Sequence, residues 1–236
     1  MLLPRRPAVG ILIYHSGLPE KLLSAGQKRP KPEEEKQMVS INSAHTERVF
    51  VNGNEFLRVT LGGKEYDLPF KILGGRKVAF LDISGQVALV ESAADDIVEL
   101  LKQAGVEFDT ILNPVSKSSA LAHSIAVRWS KDHAPISYTA VARKNVSDSR
   151  ITANYISVTN PNVQTLALTD DDADFLAGKR LLVVDDVYGG GGTTHALMEL
   201  AEKAGAKVVA HAVIGVEGGV KLPEGLIYLF TLPLSE

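Results

Sequence analysis

Two different spacings of apolar residues alternate along this chain, and they lay out its elements. Ile97, Leu100, Leu101 and Ala104 fall at i, i+3, i+4 and i+7. That is one face of a helix over about 91–104, and Gly105 stands where such a helix stops. Leu197, Leu200, Ala201 and Ala204 repeat the spacing and predict a helix over 194–204. Another helix is expected over 118–130. Between them lie short apolar runs that read as strands: Lys77–Ile83, Thr110–Leu112, Ile136–Ala142, Gln164–Leu168, Arg180–Val184, Val208–Ile214 and Ile227–Thr231. Strand and helix alternate from residue 77 onward, which predicts a Rossmann-like α/β fold, a parallel sheet covered by helices on both faces. Such sheets bind ligands beyond the carboxyl ends of their strands, so the loops after strands are where chemistry is sought.

Ahead of this region the pattern is β-rich. Arg48–Asn52 and Phe56–Leu61 flank Gly53-Asn54-Glu55 and predict a hairpin, and Gly62-Gly63 leads to a further short strand near Glu65–Leu68. Residues 24–40 are charged, carry two prolines and cannot bury much, so they read as a linker. The expected division is an extension over 1–40, a small β-rich flap over 41–76 and the main domain over 77–236. Residues 145–160 are polar and weakly patterned. Thr169 before Asp170-Asp171-Asp172 reads as the cap of a short helical turn.

Composition excludes more than it assigns. With 45% hydrophobic and 22% charged residues the chain is ordinary for a globular protein. A net charge of −3 gives no basic field for nucleic acid. There is no cysteine, hence no disulfide and no thiolate metal site, which fits a reducing, cytoplasmic setting. The apolar run Val9–Tyr14 is shorter than a signal peptide requires, and no run of about 20 apolar residues is present to span a membrane. The six histidines show no metal-ligand spacing, so no protein metal site is expected.

The distinctive segment is Val183-Val184-Asp185-Asp186-Val187-Tyr188-Gly189-Gly190-Gly191-Gly192-Thr193-Thr194. It runs from an apolar strand through two carboxylates and four glycines into a helix. Glycines let backbone approach a ligand, and successive N–H groups at a helix start cradle a phosphate. A Walker A loop needs Gly-Lys-Ser/Thr, but Gly192 is followed by Thr193. A Rossmann fingerprint places its glycines directly after the strand, whereas here two acids intervene. Carboxylates beside a phosphate cradle suit a ligand that also presents hydroxyls or a metal, as a sugar phosphate does.

On these residues Val183–Thr193 resembles the phosphoribosyl-pyrophosphate (PRPP) motif of the type I phosphoribosyltransferases, and the resemblance extends over about 77–232. It implies that family's fold, with Asp185 and Asp186 as the catalytic-site acids on the ribose hydroxyls. Gly189, Gly190, Gly191, Gly192 and Thr193 would take the 5′-phosphate. Asn113-Pro114-Val115-Ser116-Lys117-Ser118-Ser119 stands where the family has its pyrophosphate loop, giving Lys117 and Ser118 that role. Ala142-Arg143-Lys144 matches an Ala-Arg-Lys stretch, so Arg143 and Lys144 would meet the same pyrophosphate. Residues 145–160 would form the lid, and Val187 and Tyr188 would border the base. Phe80-Leu81-Asp82-Ile83-Ser84 is similar to a segment of adenine phosphoribosyltransferases. The departures are Gly190 where Thr or Ser is usual, Ser118 for glycine and Leu81 for arginine.

The resemblance implies an enzyme, a pentosyltransferase of purine salvage, moving phosphoribose from PRPP to a nitrogenous base with release of pyrophosphate. Its partners would be PRPP and a nucleobase, its cofactor Mg²⁺ and its assembly a homodimer. Magnesium keeps most of its water and needs few protein ligands. The competing readings are a non-catalytic PRPP-binding regulator on the same fold and an inactive relative. Residues 1–76 lack the helical pattern and basic charge of a helix-turn-helix domain.

Overall fold

A computed structural model describes residues 44–73, 75–142, 149–157 and 160–235. The extension over 1–40 lies outside them. The flap begins with β1 (Thr46–Val51), β2 (Asn54–Leu61) and β3 (Lys64–Leu73), followed by β4 (Arg76–Ala79). The first hairpin is tighter than its composition predicted. Val51 pairs with Asn54, so the loop is Asn52-Gly53 alone, both at positive φ. Asn-Gly accepts that conformation readily, and its twist suits flanking strands.

Helix α1 (Val87–Gln103) follows, then β5 (Thr110–Pro114), α2 (Ser119–Trp129) and β6 (Tyr138–Val141). The hairpin β7 (Ser149–Ser157) and β8 (Asn160–Thr169) leads to α3 (Asp170–Leu176). The chain closes with β9 (Arg180–Tyr188), α4 (Gly192–Lys203), β10 (Lys207–Glu217), β11 (Leu226–Leu232) and β12 (Leu234–Ser235). The α1 helix stops as foreseen. Gly105 has φ +63°, and the N–H groups of Gly105 and Val106 donate to Lys102 and Leu101. Among the described residues no helix is long and apolar enough to cross a membrane.

The parallel sheet runs β11-β10-β9-β5-β6. In chain order its strands are β5, β6, β9, β10 and β11, so the order reverses between β5 and β9. Their following helices therefore leave to opposite faces. Leu121 and Ile125 of α2 pack with Leu182 and Val184 on one face. Leu197 and Leu200 of α4 pack with Leu181 and Val183 on the other. The reversal opens a crevice at the carboxyl ends of β5 and β9, the usual ligand position in such sheets.

Three further expectations differ from the structure. The run Gln164–Leu168 falls in β8, which pairs antiparallel with β7 in a separate two-stranded sheet rather than joining the parallel one. The run Lys77–Ile83 gives only the short strand β4, which pairs antiparallel with β3 rather than joining the parallel sheet. Leu81 and Ile83 are buried as irregular chain, 4% and 1% exposed, and a buried loop has a core strand's composition. The polar stretch over 145–160 contains a real strand. Ile151, Ala153 and Tyr155 of β7 are buried and alternate with exposed residues. They pack with Leu166 and Leu168 in the core cluster that holds α4. One alanine and one tyrosine among polar neighbours leave that alternation faint in the sequence. The rest of the stretch, 145–148 and 158–159, lies outside the described residues.

The antiparallel strands β2 and β3 are tied to α1. Gly62 N–H donates to Asp96 (2.9 Å), and the Tyr66 hydroxyl donates to the Ala88 carbonyl (2.8 Å). Leu57, Val59 and Leu61 share a core cluster with Leu89, Ala93 and Ile97. Finally β12 returns to pair with β4, which brings Leu234 to the crevice.

Candidate active site

A cavity of about 370 Å³ fills the crevice at the switch point. Its floor is the end of β5 with the loop that follows (Pro114–Ser118) and the end of β9 with its turn into α4 (Asp185–Thr194, without Tyr188), and its walls include Phe80, Leu81, Glu217, Leu232 and Leu234. Thus Asp185, Asp186, Val187, the four glycines, Thr193, Lys117 and Ser118, chosen from separate parts of the sequence, line one space. Arg143 and Lys144 lie outside the described residues. Tyr188 does not line the cavity. Residues alternate across a strand. Val187 therefore faces the crevice while Tyr188, 6% exposed, packs beside Val213, Val216 and Leu226 on the opposite face.

Both acids are held by the next peptide. Asp185 accepts from the N–H of Asp186 (2.9 Å), and Asp186 accepts from the N–H of Val187 (3.0 Å). The helix beyond them opens with Gly191 in left-handed conformation as its N-cap. The N–H of His195 donates to Gly191, whereas those of Gly190 to Thr194 make no hydrogen bond among the described residues. A run of unclaimed N–H groups at a helix N-terminus is a receptor for an anion. Thr193 is half-buried beside it, and Thr194 is buried.

The glycines have reasons beyond ligand approach. A Cβ on Gly189 would meet the Glu217 carboxylate, one on Gly191 the Tyr188 hydroxyl, and one on Gly192 the backbone carbonyl of Ile156. Their absence of side chain lets β10, β9 and the β7–β8 hairpin close around the loop.

Across the crevice, Lys117 reaches 3.6 Å from Asp82 and lies over the Phe80 ring at 5.6 Å. The Ser84 N–H donates to Asp82 and holds its carboxyl below the ordinary range. The backbone N–H groups of Ser116, Lys117 and Ser118 make no hydrogen bond among the described residues. The peptide between Val115 and Ser116 is cis. Inside the loop, Ser118 Oγ donates to the Pro114 carbonyl (2.6 Å) and is screened from solvent.

Two groups were not chosen as site residues from the sequence, although Asn113 opens the segment 113–119 assigned to pyrophosphate. Glu217 ends β10 and places its carboxylate against Gly189, where burial pushes its carboxyl up. Asn113, fully buried, bonds the β5 loop from beneath. The tertiary register of β10 and the burial of β5 give them their places. No group of three or more His, Asp or Glu side chains that could hold a metal ion is found among the described residues.

The family model described as "Phosphoribosyl transferase domain" matches residues 79–224. The adenine phosphoribosyltransferase of Petrotoga mobilis is 30% identical over 117 residues, 50% of this chain and 62% of that protein. The purine biosynthesis transcriptional repressor PurR of Bacillus subtilis is 24% identical over 172 residues, 72% of this chain and 58% of that protein. In both cases the match spans less than two thirds of the relative's own length. The crystal structure of adenine phosphoribosyltransferase from Thermoanaerobacter pseudethanolicus superposes with a TM-score of 0.52 at 22% identity, covering 66% of this chain and 88% of that one. That likeness shows a shared fold.

Proposed function

The chain belongs to the phosphoribosyltransferase family, and we propose that it moves the 5-phosphoribosyl group of PRPP to a nitrogenous base, a purine, and releases pyrophosphate. The observation that carries this reading is the meeting of two anion-receptive loops and two carboxylates in one cavity at the sheet's switch point. A ligand that carries a phosphate, a pyrophosphate and ribose hydroxyls has a group for each of the three.

In this reading Gly189–Thr193 hold the 5′-phosphate through backbone N–H groups and the Thr193 hydroxyl. Asp185 and Asp186 accept hydrogen bonds from the ribose hydroxyls. Ser116, Lys117 and Ser118 receive the pyrophosphate, with Arg143 and Lys144 as further cations. Val187, Leu81 and Leu232 form an apolar wall for the base, while Tyr188 supports the loop from the far face. The C1–O bond to pyrophosphate breaks, a C1–N bond forms, and the base nitrogen gives up a proton. Charge gathers on the leaving pyrophosphate, so fixed N–H dipoles and Lys117 lower the barrier without a covalent nucleophile. The cavity's carboxylates, Asp185, Asp186 and Glu217, are hard oxygen donors of the kind magnesium takes, and magnesium needs few of them when it arrives with phosphates. When bound, Mg²⁺ neutralises pyrophosphate charge. A chain without cysteine suits the cytoplasm, and kinship with the family points to a homodimer.

The similarity to PurR favours one second reading, a PRPP-binding regulator without turnover. Incubation with PRPP, Mg²⁺ and a panel of bases separates the two. The proposal expects pyrophosphate and a nucleoside monophosphate in equal amounts with one purine. PRPP binding with no product from any base selects the regulator.

A further inference from the structure

We infer that Asn113 is a positioning residue, which holds the loop after β5 in the shape that receives pyrophosphate. The inference rests on the phosphoribosyltransferase reading and goes beyond it, because Asn113 does not itself line the cavity and acts only through residues that do.

Asn113 lies near the end of β5 and is fully buried. Its Nδ2 donates to the Pro114 carbonyl (3.1 Å) and to Ser119 Oγ (3.2 Å), with Ser118 Oγ at 3.5 Å. Ser118 Oγ in turn donates to the same Pro114 carbonyl. One amide therefore joins the first residue of the loop to the serines at the start of α2. The loop is also pinned outside this network. Val115 N–H donates to the Val141 carbonyl (2.9 Å), and Ser119 N–H to the Ser116 carbonyl (3.3 Å).

The amide's orientation is fixed. Turning it would set Oδ1 against the Pro114 carbonyl, acceptor against acceptor. As placed, Oδ1 has no partner among the described residues, an unusual omission for a buried polar atom. The side chain is thus kept for what its NH₂ does. The Ser118 hydroxyl is turned inward to the Pro114 carbonyl, and the Ser119 hydroxyl meets the Asn113 amide. The N–H groups of Ser116, Lys117 and Ser118 stay unclaimed along the cavity. Fixed donors cost no reorganisation when an anion arrives.

The test measures two ligands on one protein. Mg²⁺-pyrophosphate probes this loop, and ribose 5-phosphate probes the Gly189–Thr193 loop. Asn113→Ala and the isosteric Asn113→Asp, which loses both donors, are each expected to weaken pyrophosphate by about tenfold or more. Ribose 5-phosphate affinity should stay within about twofold in both. Should neither variant fold, Ser119→Ala removes one acceptor from the half-exposed side of the network and should shift pyrophosphate affinity alone, by a smaller factor. Unchanged pyrophosphate affinity, or equal losses for both ligands, would overturn the positioning role. Failure of the wild type to bind pyrophosphate would overturn the phosphoribosyltransferase reading and this inference with it.

Discussion

The backbone carbonyl of Ile156 occupies the space that a Cβ on Gly192 would need. The β7–β8 hairpin is therefore seated on the first turn of α4. Replacing glycine by alanine in a helix ordinarily stabilises by up to about 1 kcal/mol. Here the added methyl meets backbone that cannot swing aside, and overpacking of that kind costs about 1–3 kcal/mol. Gly192→Ala should lower unfolding free energy and loosen hydrogen-exchange protection in β7. At Gly189 the obstacle is the flexible end of Glu217, so Gly189→Ala should cost less. Equal urea midpoints for the two variants would contradict this packing.

Burial of His211, 5% exposed with Nδ1 unpartnered among the described residues, lowers its pKa from 6.5 to about 4. The unfolded chain then binds more protons between those values, so stability is complete above pH 6.5 and falls as pH drops toward 4. The difference is about 3 kcal/mol. Urea unfolding at a series of pH values should show that loss in the wild type. In His211→Leu the acid slope should flatten by about one proton over the same window. Parallel slopes would show that His211 titrates normally.

The α3 helix is capped as its sequence proposed. Asp172 N–H donates to Thr169 Oγ1 (3.1 Å), and Asp172 Oδ2 accepts from the Thr169 hydroxyl (2.7 Å) and N–H (3.4 Å). Loss of such a cap costs about 1 kcal/mol. Thermal melting of Thr169→Ala should show that decrease, and an unchanged midpoint would mean that α3 is held by packing alone.

What could be read in advance follows from how local each feature is. The stop at Gly105, the cap at Thr169 and the strand–acid–glycine–helix run at 183–194 are written in neighbouring residues, and all three stand in the structure. The parallel sheet followed from apolar runs alternating with helical spacing. The burial of Leu81 outside any strand, the β7–β8 hairpin's seat on Gly192 and the Glu217 carboxylate against Gly189 depend on elements far apart in the chain. Val187 and Tyr188 show the same limit at one-residue scale. Adjacent positions gave both to the base, and strand alternation sends them to opposite faces.

The proposed function requires a phosphoribosyl group at Asp185, Asp186 and the glycines that follow. Calorimetric titration of PRPP with Mg²⁺ into the wild type and into the Asp185→Asn, Asp186→Asn double variant measures that directly. One site per chain is expected in the wild type. At least about a tenfold loss is expected in a double variant whose circular dichroism is unchanged, from hydrogen bonds to charged acceptors removed. PRPP that fails to bind the wild type, or binds both proteins equally, would contradict the proposed function.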